Sequence, residues 1–259
     1  MNYIEDFVYR KMWDRYDLEW HHIHKDVNIL VGINGKGKTT LLDAINSYYS
    51  GKFPATFFKK YGEDRIIATP LNSPVYCIQC PDIPAQVRKK GNSMLYDRLM
   101  QVVVQNEQQD SFFNYRMRAL NYPEESARIS QRIELLFKEI DSYFTESAKH
   151  ITIERDSNML VFKEGADERT ITLSMLSAGE KQLLLILLTV FLMDEKPAVL
   201  LMDEPEVSLH IEWQERLIKS LRKLNKNCQL IVTTHSPSIF ASGWENHITY
   251  IEDLYTDGE

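Results

Sequence analysis

The sequence predicts an α/β fold in which helices flank a mixed, largely parallel β-sheet. Three short apolar stretches, at 27–31, 198–202 and 230–233, have the composition of strands covered on both faces. Helical patterns separate these stretches along the chain. Buried strands that alternate with helices are typical of parallel strands joined by crossover connections.

The other elements follow from periodicity and from capping residues. Residues 3–31 have the pattern of short strands, and 37–48 has apolar residues at helical spacing. Residues 123–149 form an amphipathic pattern that opens with Pro123 and Glu124. The remaining predictions are strands at 75–78, 151–153 and 159–162, a buried helix at 178–193 and an amphipathic helix at 207–225.

The pattern divides the chain into a core and an insertion. Residues 1–51 and 151–259 carry the alternating strands and helices, and we assign them to the core. Residues 52–150 interrupt the core and are predicted to form a mainly helical insertion or subdomain. No period persists through the first half of this segment, so its elements there are poorly defined by the sequence.

Composition restricts the class of protein. The chain has 259 residues, 44% of them apolar, a net charge of −7 and a pI of about 5.6. This mix is globular, and it excludes disordered and fibrous chains. The longest apolar run, 183–193, is well short of the roughly 20 residues of a membrane helix. Together with a start that lacks a basic region and an apolar run, this predicts a cytoplasmic protein that does not cross a membrane.

Charge is distributed unevenly between the two parts. The whole chain is acidic and is a poor general binder of nucleic acid, but 52–150 contains 14 Lys+Arg against 12 Asp+Glu. Basic and aromatic residues are interleaved there, which makes the insertion a candidate surface for nucleic acid or a protein partner. The alternative is a solvated surface over a small aromatic core. The residues concerned are Lys59, Lys60, Tyr61, Arg88, Lys89, Lys90, Phe112, Phe113, Tyr115, Arg116 and Arg118.

The strongest motif runs from Gly32 to Thr40 and matches G-x-x-x-x-G-K-[ST] between a strand and a helix. Its glycines let the backbone N–H groups wrap around phosphate oxygens, and the helix N-terminus adds positive potential. Lys38 is expected to reach the β- and γ-phosphates, and the Thr39 hydroxyl is expected to bind Mg²⁺. The predicted nucleotide-binding residues are Asn34, Gly35, Lys36, Gly37, Lys38, Thr39 and Thr40.

An acidic pair follows the buried strand at 198–202. Asp203 stands where the carboxyl end of a parallel strand would lie beside the phosphate loop, so we expect it to assist Mg²⁺. Glu204 is the candidate general base that polarises the attacking water. Asp203 and Glu204 could also form an ordinary solvated acidic turn, but the preceding glycine motif favours the functional interpretation.

Two further motifs stand near strand or helix ends. Ser177, Gly179 and Glu180 belong to an L-S-x-G-E stretch that opens the helix at 178–193. The same residues form a capping-box pattern. A capped helix with a glycine in its first turn is also a good anion site, so the stretch can both cap the helix and bind an anion. His235 follows the third buried strand and is a candidate donor to a γ-phosphate.

These four motifs in this order resemble the ABC-type ATPases. The stretch from Asp203 to His210 and the T-T-H-S-P around His235 look like the AAA/RecF/OLD-type group, which is similar to SMC proteins and acts in DNA repair and anti-phage defence. The resemblance implies a P-loop NTPase with an ABC-type core that uses ATP and Mg²⁺. It implies catalytic roles for Glu204 and His235, Mg²⁺ contacts from Thr39 and Asp203, and a γ-phosphate contact from Ser177 and Gly179 across a head-to-tail dimer.

The resemblance also sets the functional expectations. The predicted activity is Mg²⁺-dependent ATP hydrolysis by a homodimer that gates a separate effector protein or DNA. The alternatives are an ATP-binding subunit of a membrane transporter and a slow ATP-sensing module. Gln79 is the best candidate for the glutamine that contacts Mg²⁺ in this superfamily, and Trp13 or Tyr16 for the residue that stacks on adenine.

Overall fold

A parallel five-stranded sheet forms the centre of the molecule. The computed structural model describes residues 3–51, 65–79, 93–104 and 111–257. The strand order is β11-β3-β10-β9-β5, and each neighbouring pair is parallel. The strands are β3 (Val27–Val31), β5 (Val75–Gln79), β9 (Ala198–Asp203), β10 (Cys228–Thr233) and β11 (Ile248–Tyr250). The predicted α/β class is confirmed.

A second, antiparallel sheet covers one face of this centre, with helix α1 (Lys38–Ser50) between the two sheets. Side chains alternate along a strand, so one set from the parallel strands, including Leu30, Val199 and Ile231, packs on this side. The antiparallel order is β12-β2-β1-β4, with β1 (Asp6–Met12), β2 (Tyr16–Trp20), β4 (Ile66–Thr69) and β12 (Tyr255–Asp257).

Helices cover the opposite face of the parallel sheet. Helix α5 (Ala178–Leu192) is buried along almost its whole length because apolar residues occupy all its faces. The remaining helices are α2 (Met94–Val103), α3 (Phe112–Asn121), α4 (Ser126–Asp141) and α6 (Ile211–Leu224). A small antiparallel sheet of β6 (Lys149–Ile153), β7 (Leu160–Glu164) and β8 (Arg169–Thr172) lies between α4 and α5 in the chain.

Two predicted boundaries differ from the structure. The helix predicted at 123–149 is a 3₁₀ turn at Pro123–Glu125 followed by α4, which ends at Asp141. Tyr143 and Phe144 continue the apolar pattern past the end of α4 because they are buried in the turn that follows. The helix predicted at 207–225 begins at Ile211, after a turn.

Strand pairing bears on the proposed division of the chain. Strands β4 and β5 lie within 52–150, yet β4 pairs with β1 and β5 pairs with β9. The helical part of this segment in the described residues is α2, α3 and α4. Strands β4 and β5 therefore belong to the core sheets, although they lie within 52–150. The division of the chain into a core and an insertion stays a prediction. Across the described ranges, no helix is both long and apolar enough to span a bilayer.

Candidate functional site

The turn from β3 into α1 has the backbone geometry of a phosphate-binding loop. Gly35 and Gly37 have φ angles of 80° and 93°, in the left-handed region that favours glycine. Gly37 occupies the N-cap position of α1, with no side-chain cap and no acidic residue in the first turn. The first N–H groups of the helix therefore remain available for an anion, and the helix dipole favours negative charge there.

A cavity of about 300 Å³ opens in front of this loop. Most of the predicted nucleotide-binding residues line it, together with the candidate base Glu204. The lining residues are Trp13, Asn34, Gly35, Gly37, Lys38, Thr39, Thr40 and Glu204. Lys36 is not in this lining, and its carbonyl oxygen accepts a hydrogen bond from the Tyr255 hydroxyl.

The Lys38 side chain is buried and points back across the loop. Its Nζ donates to the Gly32 carbonyl at 2.8 Å and lies 2.7 Å from Nε2 of His235. Burial lowers the pKa of the Lys38 ammonium, and the nearby carboxylates of Glu204 and Asp203 oppose that effect. The Lys38 ammonium thus lies between the Gly32 carbonyl and the His235 imidazole, and phosphate oxygens can replace these contacts.

The acidic pair lies at the carboxyl end of β9. The Thr233 hydroxyl donates to Oδ1 of Asp203 at 2.5 Å, which orients the carboxylate. Glu204 has a φ of 46°, an uncommon value for a residue with a side chain, and its N–H donates to the Thr233 carbonyl at 3.1 Å. This local geometry turns Glu204 into the cavity, where Oε1 lies 3.2 Å from Nε2 of His235.

Sequence reasoning missed the residue that holds His235. Oε1 of Glu206 accepts three hydrogen bonds, from the Thr234 hydroxyl at 2.6 Å and from the N–H groups of His235 at 2.8 Å and Ser236 at 3.3 Å. The Ser236 hydroxyl donates in turn to Gln214 on α6 at 2.6 Å. The signal for it in the sequence is the D-E-P-E stretch, in which Glu206 follows Glu204 by two residues.

The Ser177–Glu180 stretch forms the cap of α5. The Ser177 hydroxyl accepts from the Glu180 N–H at 3.2 Å, and the Glu180 carboxylate accepts from the Ser177 N–H at 2.7 Å. The same carboxylate lies 2.8 Å from Nζ of Lys149. Burial opposes ionisation of Glu180, but the contacts with Lys149 and Ser177 together outweigh it and lower the pKa of the carboxyl. The predicted capping box is present.

Gly179 packs directly on the turn that follows the acidic pair. A Cβ at this position would lie 2.2 Å from the Ser208 carbonyl oxygen, so any side chain would force the helix and turn apart. The Gln182 amide also ties α5 to this turn by donating to the Pro205 carbonyl at 2.8 Å. None of Ser177, Gly179 and Glu180 is among the described residues that line the phosphate-loop cavity.

The other predicted residues are positioned as follows. Gln79 ends β5 and pairs in register with Asp203, which puts its backbone beside the acidic pair. Trp13 lies against the phosphate loop, 2.6 Å from where a Cβ on Gly37 would stand. The Tyr16 ring instead packs against Tyr255, at 5.4 Å between centroids.

Only part of the predicted basic and aromatic surface lies in the described residues. Lys59, Lys60, Tyr61, Arg88, Lys89 and Lys90 lie outside them. Phe112 and Tyr115 are buried, and the Arg118 guanidinium stands over the Tyr115 ring and pairs with Glu125. Phe112 and Tyr115 therefore belong to the core of the helical segment, whereas Phe113 is exposed, so α3 does not decide between the two interpretations.

The donor set suits a nucleotide with Mg²⁺. The hydroxyl of Thr39 and the carboxylate of Asp203 are the hard oxygen ligands that Mg²⁺ prefers. The uncapped helix N-terminus and the Lys38 ammonium match the charge of phosphate oxygens. When bound, Mg²⁺ would neutralise negative charge on the phosphate groups.

The fold and the phosphate loop define this chain as a P-loop NTPase with an ABC-type core. Residues 89–241, more than half of the chain, match the family described as "AAA domain, putative AbiEii toxin, Type IV TA system". The chain belongs to this family of AAA domains.

Relatives and solved structures agree with this assignment. The chain is 28% identical over 139 residues to a retron Vc95 probable ATPase of Vibrio cholerae, covering 49% of this chain and 25% of the relative. It is 29% identical over 134 residues to a retron Ec83 probable ATPase of Escherichia coli, covering 41% and 24%. The alignments therefore span about a quarter of the length of these relatives.

The fold is similar to the head domain of an SMC protein. The SmcHead crystallised with the C-winged helix domain of ScpA superposes with a TM-score of 0.56 and 17% identity, covering 93% of this chain and 91% of that one. At this identity the similarity concerns the fold alone.

Proposed function

We propose that the chain binds ATP and hydrolyses it with Mg²⁺, as a head-to-tail homodimer that gates a separate effector protein or DNA in DNA maintenance or anti-phage defence. One observation carries the proposal: Lys38, Thr39 and Glu204 face the same cavity at the end of the parallel sheet. The names of the two retron relatives, probable ATPases, support the activity.

In the proposed reaction, each residue of the site has a separate role. The N–H groups of the loop and the Lys38 ammonium hold the phosphates, and Thr39 and Asp203 hold Mg²⁺. Glu204 accepts the proton of the attacking water, and His235 donates to the transferred phosphoryl group. Exclusion of bulk water from the closed cavity strengthens each of these interactions.

The position of the Ser177–Gly179 stretch supports the dimer. Ser177 is exposed at the N-cap of α5 and Gly179 is buried beside it, yet neither lines the cavity of its own chain. In a head-to-tail dimer the α5 N-terminus of one protomer would complete the phosphate site of the other. ATP would then contact both protomers and stabilise the dimer, and its hydrolysis would allow the protomers to separate.

The test is ATP turnover by the purified chain and by Glu204→Gln. The variant keeps the shape of the side chain and removes the base, so turnover should fall by about 10²–10⁴-fold while ATP binding persists. Dimers should accumulate with ATP and Mg²⁺ in light scattering. Glu215→Gln, on the exposed face of α6, is the matched control and should behave as the wild type.

Two results would contradict the proposal. Normal turnover by Glu204→Gln would remove Glu204 as the base. Tight ATP binding with no turnover by the wild type would make the protein an ATP sensor instead of an ATPase.

A further inference from the structure

We propose that His24, Asp26 and His247 form a binding site for a divalent transition-metal ion such as Zn²⁺. Each of the three side chains offers one ligand atom, and these atoms all lie within 4.8 Å of one another. The histidine rings are stacked at an angle, with 5.2 Å between centroids. Two imidazoles and one carboxylate are a ligand set that Zn²⁺ binds readily, with a further position left for water.

The backbone around His24 is held rigidly by two buried amides. Asn28 accepts from the His24 N–H at 2.8 Å and donates to the His24 carbonyl at 2.6 Å. Gln229 donates to the same carbonyl at 2.8 Å. Asp26 is fixed as well, because its carbonyl accepts from Leu230 at 2.8 Å. Two of the three ligands therefore stand on a preorganised turn.

His247 approaches this turn from a distant part of the chain and has no other evident function. It precedes β11, and Trp244 packs edge-on against its ring at 5.2 Å. Its Nε2 is 3.8 Å from Oδ1 of Asp26, too far for a hydrogen bond, and its buried Nδ1 has no partner among the described residues. A metal ion between Nε2 and the Asp26 carboxylate would give Nε2 a polar partner, while Nδ1 would stay without one among the described residues.

The spacing requires only small side-chain movements. Ligand atoms bound to tetrahedral Zn²⁺ at about 2.0–2.1 Å stand about 3.4 Å from one another. Since the ligand atoms lie within 4.8 Å of one another, no separation must shrink by more than about 1.4 Å. His24 is exposed and the Asp26 and His247 side chains are half-buried, so rotation of the side chains suffices without moving the strands.

The site would fasten the edge of the central sheet. The ligands stand where β3 and β11 begin, and β11 pairs with β3 through only three residues. The chain after β11 supports the phosphate loop: Ile251 and Glu252 contact Gly32, and the Tyr255 hydroxyl bonds to Lys36. A metal ion here would hold this supporting segment from the end of the sheet opposite the phosphate loop.

The test is to strip the protein of metal with a chelator and to measure its binding of Zn²⁺ by titration calorimetry and of Co²⁺ by absorption spectroscopy. The wild type should bind one ion per chain, develop Co²⁺ ligand-field bands and melt at a higher temperature with Zn²⁺. His24→Ala, Asp26→Asn and His247→Ala should each weaken binding by at least about tenfold and reduce the shift in Tm.

His21→Ala is the matched control, because His21 is also an exposed histidine beside carboxylates, those of Asp6 and Glu19. It should bind Zn²⁺ as the wild type does. The proposal is overturned if the wild type binds no ion, or if the three ligand variants bind as tightly as the wild type, which would leave an adventitious ion only. Folding of each variant is checked by its circular dichroism spectrum without metal.

Discussion

At the scale of single residues, the geometry of His235 depends on the carboxylate of Glu206. One oxygen of Glu206 collects two N–H groups and one hydroxyl from the chain that carries His235. Removing this acceptor leaves the His235 N–H without its acceptor and the Thr234 hydroxyl with only a long contact, 3.4 Å, to the Ser236 carbonyl, while the Ser236 N–H still donates to the Thr234 hydroxyl at 2.9 Å. Glu206 is therefore a positioning residue, acting on the active site through the backbone.

Glu206→Ala should lower kcat by about tenfold or more while the KM for ATP changes little, because the phosphate loop is untouched. It should also reduce the free energy of unfolding by about 1–3 kcal/mol through the unpaired donors. Steady-state kinetics and chemical denaturation measure the two effects.

The conservative variant distinguishes positioning from charge. Glu206→Gln retains an acceptor oxygen for the same three donors, so its kcat should lie close to that of the wild type. Loss of activity in Glu206→Gln as severe as in Glu206→Ala would show that the negative charge itself is needed, and that positioning alone is the wrong explanation.

Sequence and structure agree best at residues where one local pattern determines the backbone conformation. The glycine motif specifies its own turn, and Lys38 and Thr39 follow from it. The contact between Lys38 and His235 joins residues 197 positions apart, and no local pattern predicts it. The sequence does not predict the roles of Glu206 and His247 for the same reason, because the packing of the strands determines which residues they contact.

At the scale of elements, the packing of α5 on the turn after β9 requires glycine at 179. Gly179→Ala would put a methyl group 2.2 Å from the Ser208 carbonyl oxygen, and backbone cannot yield as a side chain would. We expect a loss of about 1–3 kcal/mol of stability. Faster hydrogen exchange in the turn at 204–209 should accompany it, together with lower ATPase activity.

The control for this variant is Met175→Ala, an exposed residue just before α5. It should leave stability and turnover unchanged. If Gly179→Ala is as stable and active as the wild type, the turn yields more easily than the contact indicates, and glycine is not required at this position.

The sequence predicts the end of a helix or strand only where its apolar pattern ends at the same residue. Strands β3, β9 and β10 end where the apolar run ends, so their prediction was accurate. Helix α4 ends at Asp141, but buried aromatic residues continue the pattern beyond it. Strands β4 and β5 join the core through pairing partners far away in the sequence, which periodicity does not reveal.

A buried carboxylate just after α5 helps to attach the helical segment, in addition to the apolar packing between them. Asp194 accepts two hydrogen bonds from Arg128 on α4, each 2.9 Å long, and one from Tyr115 on α3, also 2.9 Å long. Burial by itself would raise the pKa of this carboxyl, but Arg128 and Tyr115 outweigh it, and the pKa is lowered from 3.8. The ionised form is therefore the one that stabilises the fold.

A carboxyl with a lowered pKa contributes stability above its unfolded pKa and loses it as the pH falls through the folded one. The wild type should therefore lose this contribution below about pH 3.8. Asp194→Asn should be less stable by about 2 kcal/mol at pH 7, a value reduced for the exposure of Arg128. Its denaturation midpoint should depend less on pH in the acidic range.

Asp156→Asn, an exposed carboxyl in the turn before β7, provides the comparison for Asp194→Asn. Its acid denaturation should follow that of the wild type. Equal pH dependence in the wild type and Asp194→Asn would mean that other carboxyl groups control the acid transition.

At the scale of the whole molecule, the proposed dimer makes the phosphate loop of one protomer and the α5 N-terminus of the other the two halves of one site. If they meet only between protomers, two different defects can complement each other. Lys38→Ala destroys the phosphate loop, and Ser177→Arg blocks the α5 N-terminus with a bulky cation, so each variant alone should be inactive. A mixed dimer contains one site in which both halves are intact.

An equal mixture of the two variants should regain about a quarter of the wild-type ATPase activity, since half of the dimers are mixed and each has one working site. Activity is measured against total protein, with each variant alone at the same concentration as the control. Failure to recover activity, with mixed dimers demonstrated by differently tagged chains, would mean that each phosphate site is completed within its own chain. Recovery would establish the shared site, and with it a protein whose two copies must close together to hydrolyse ATP.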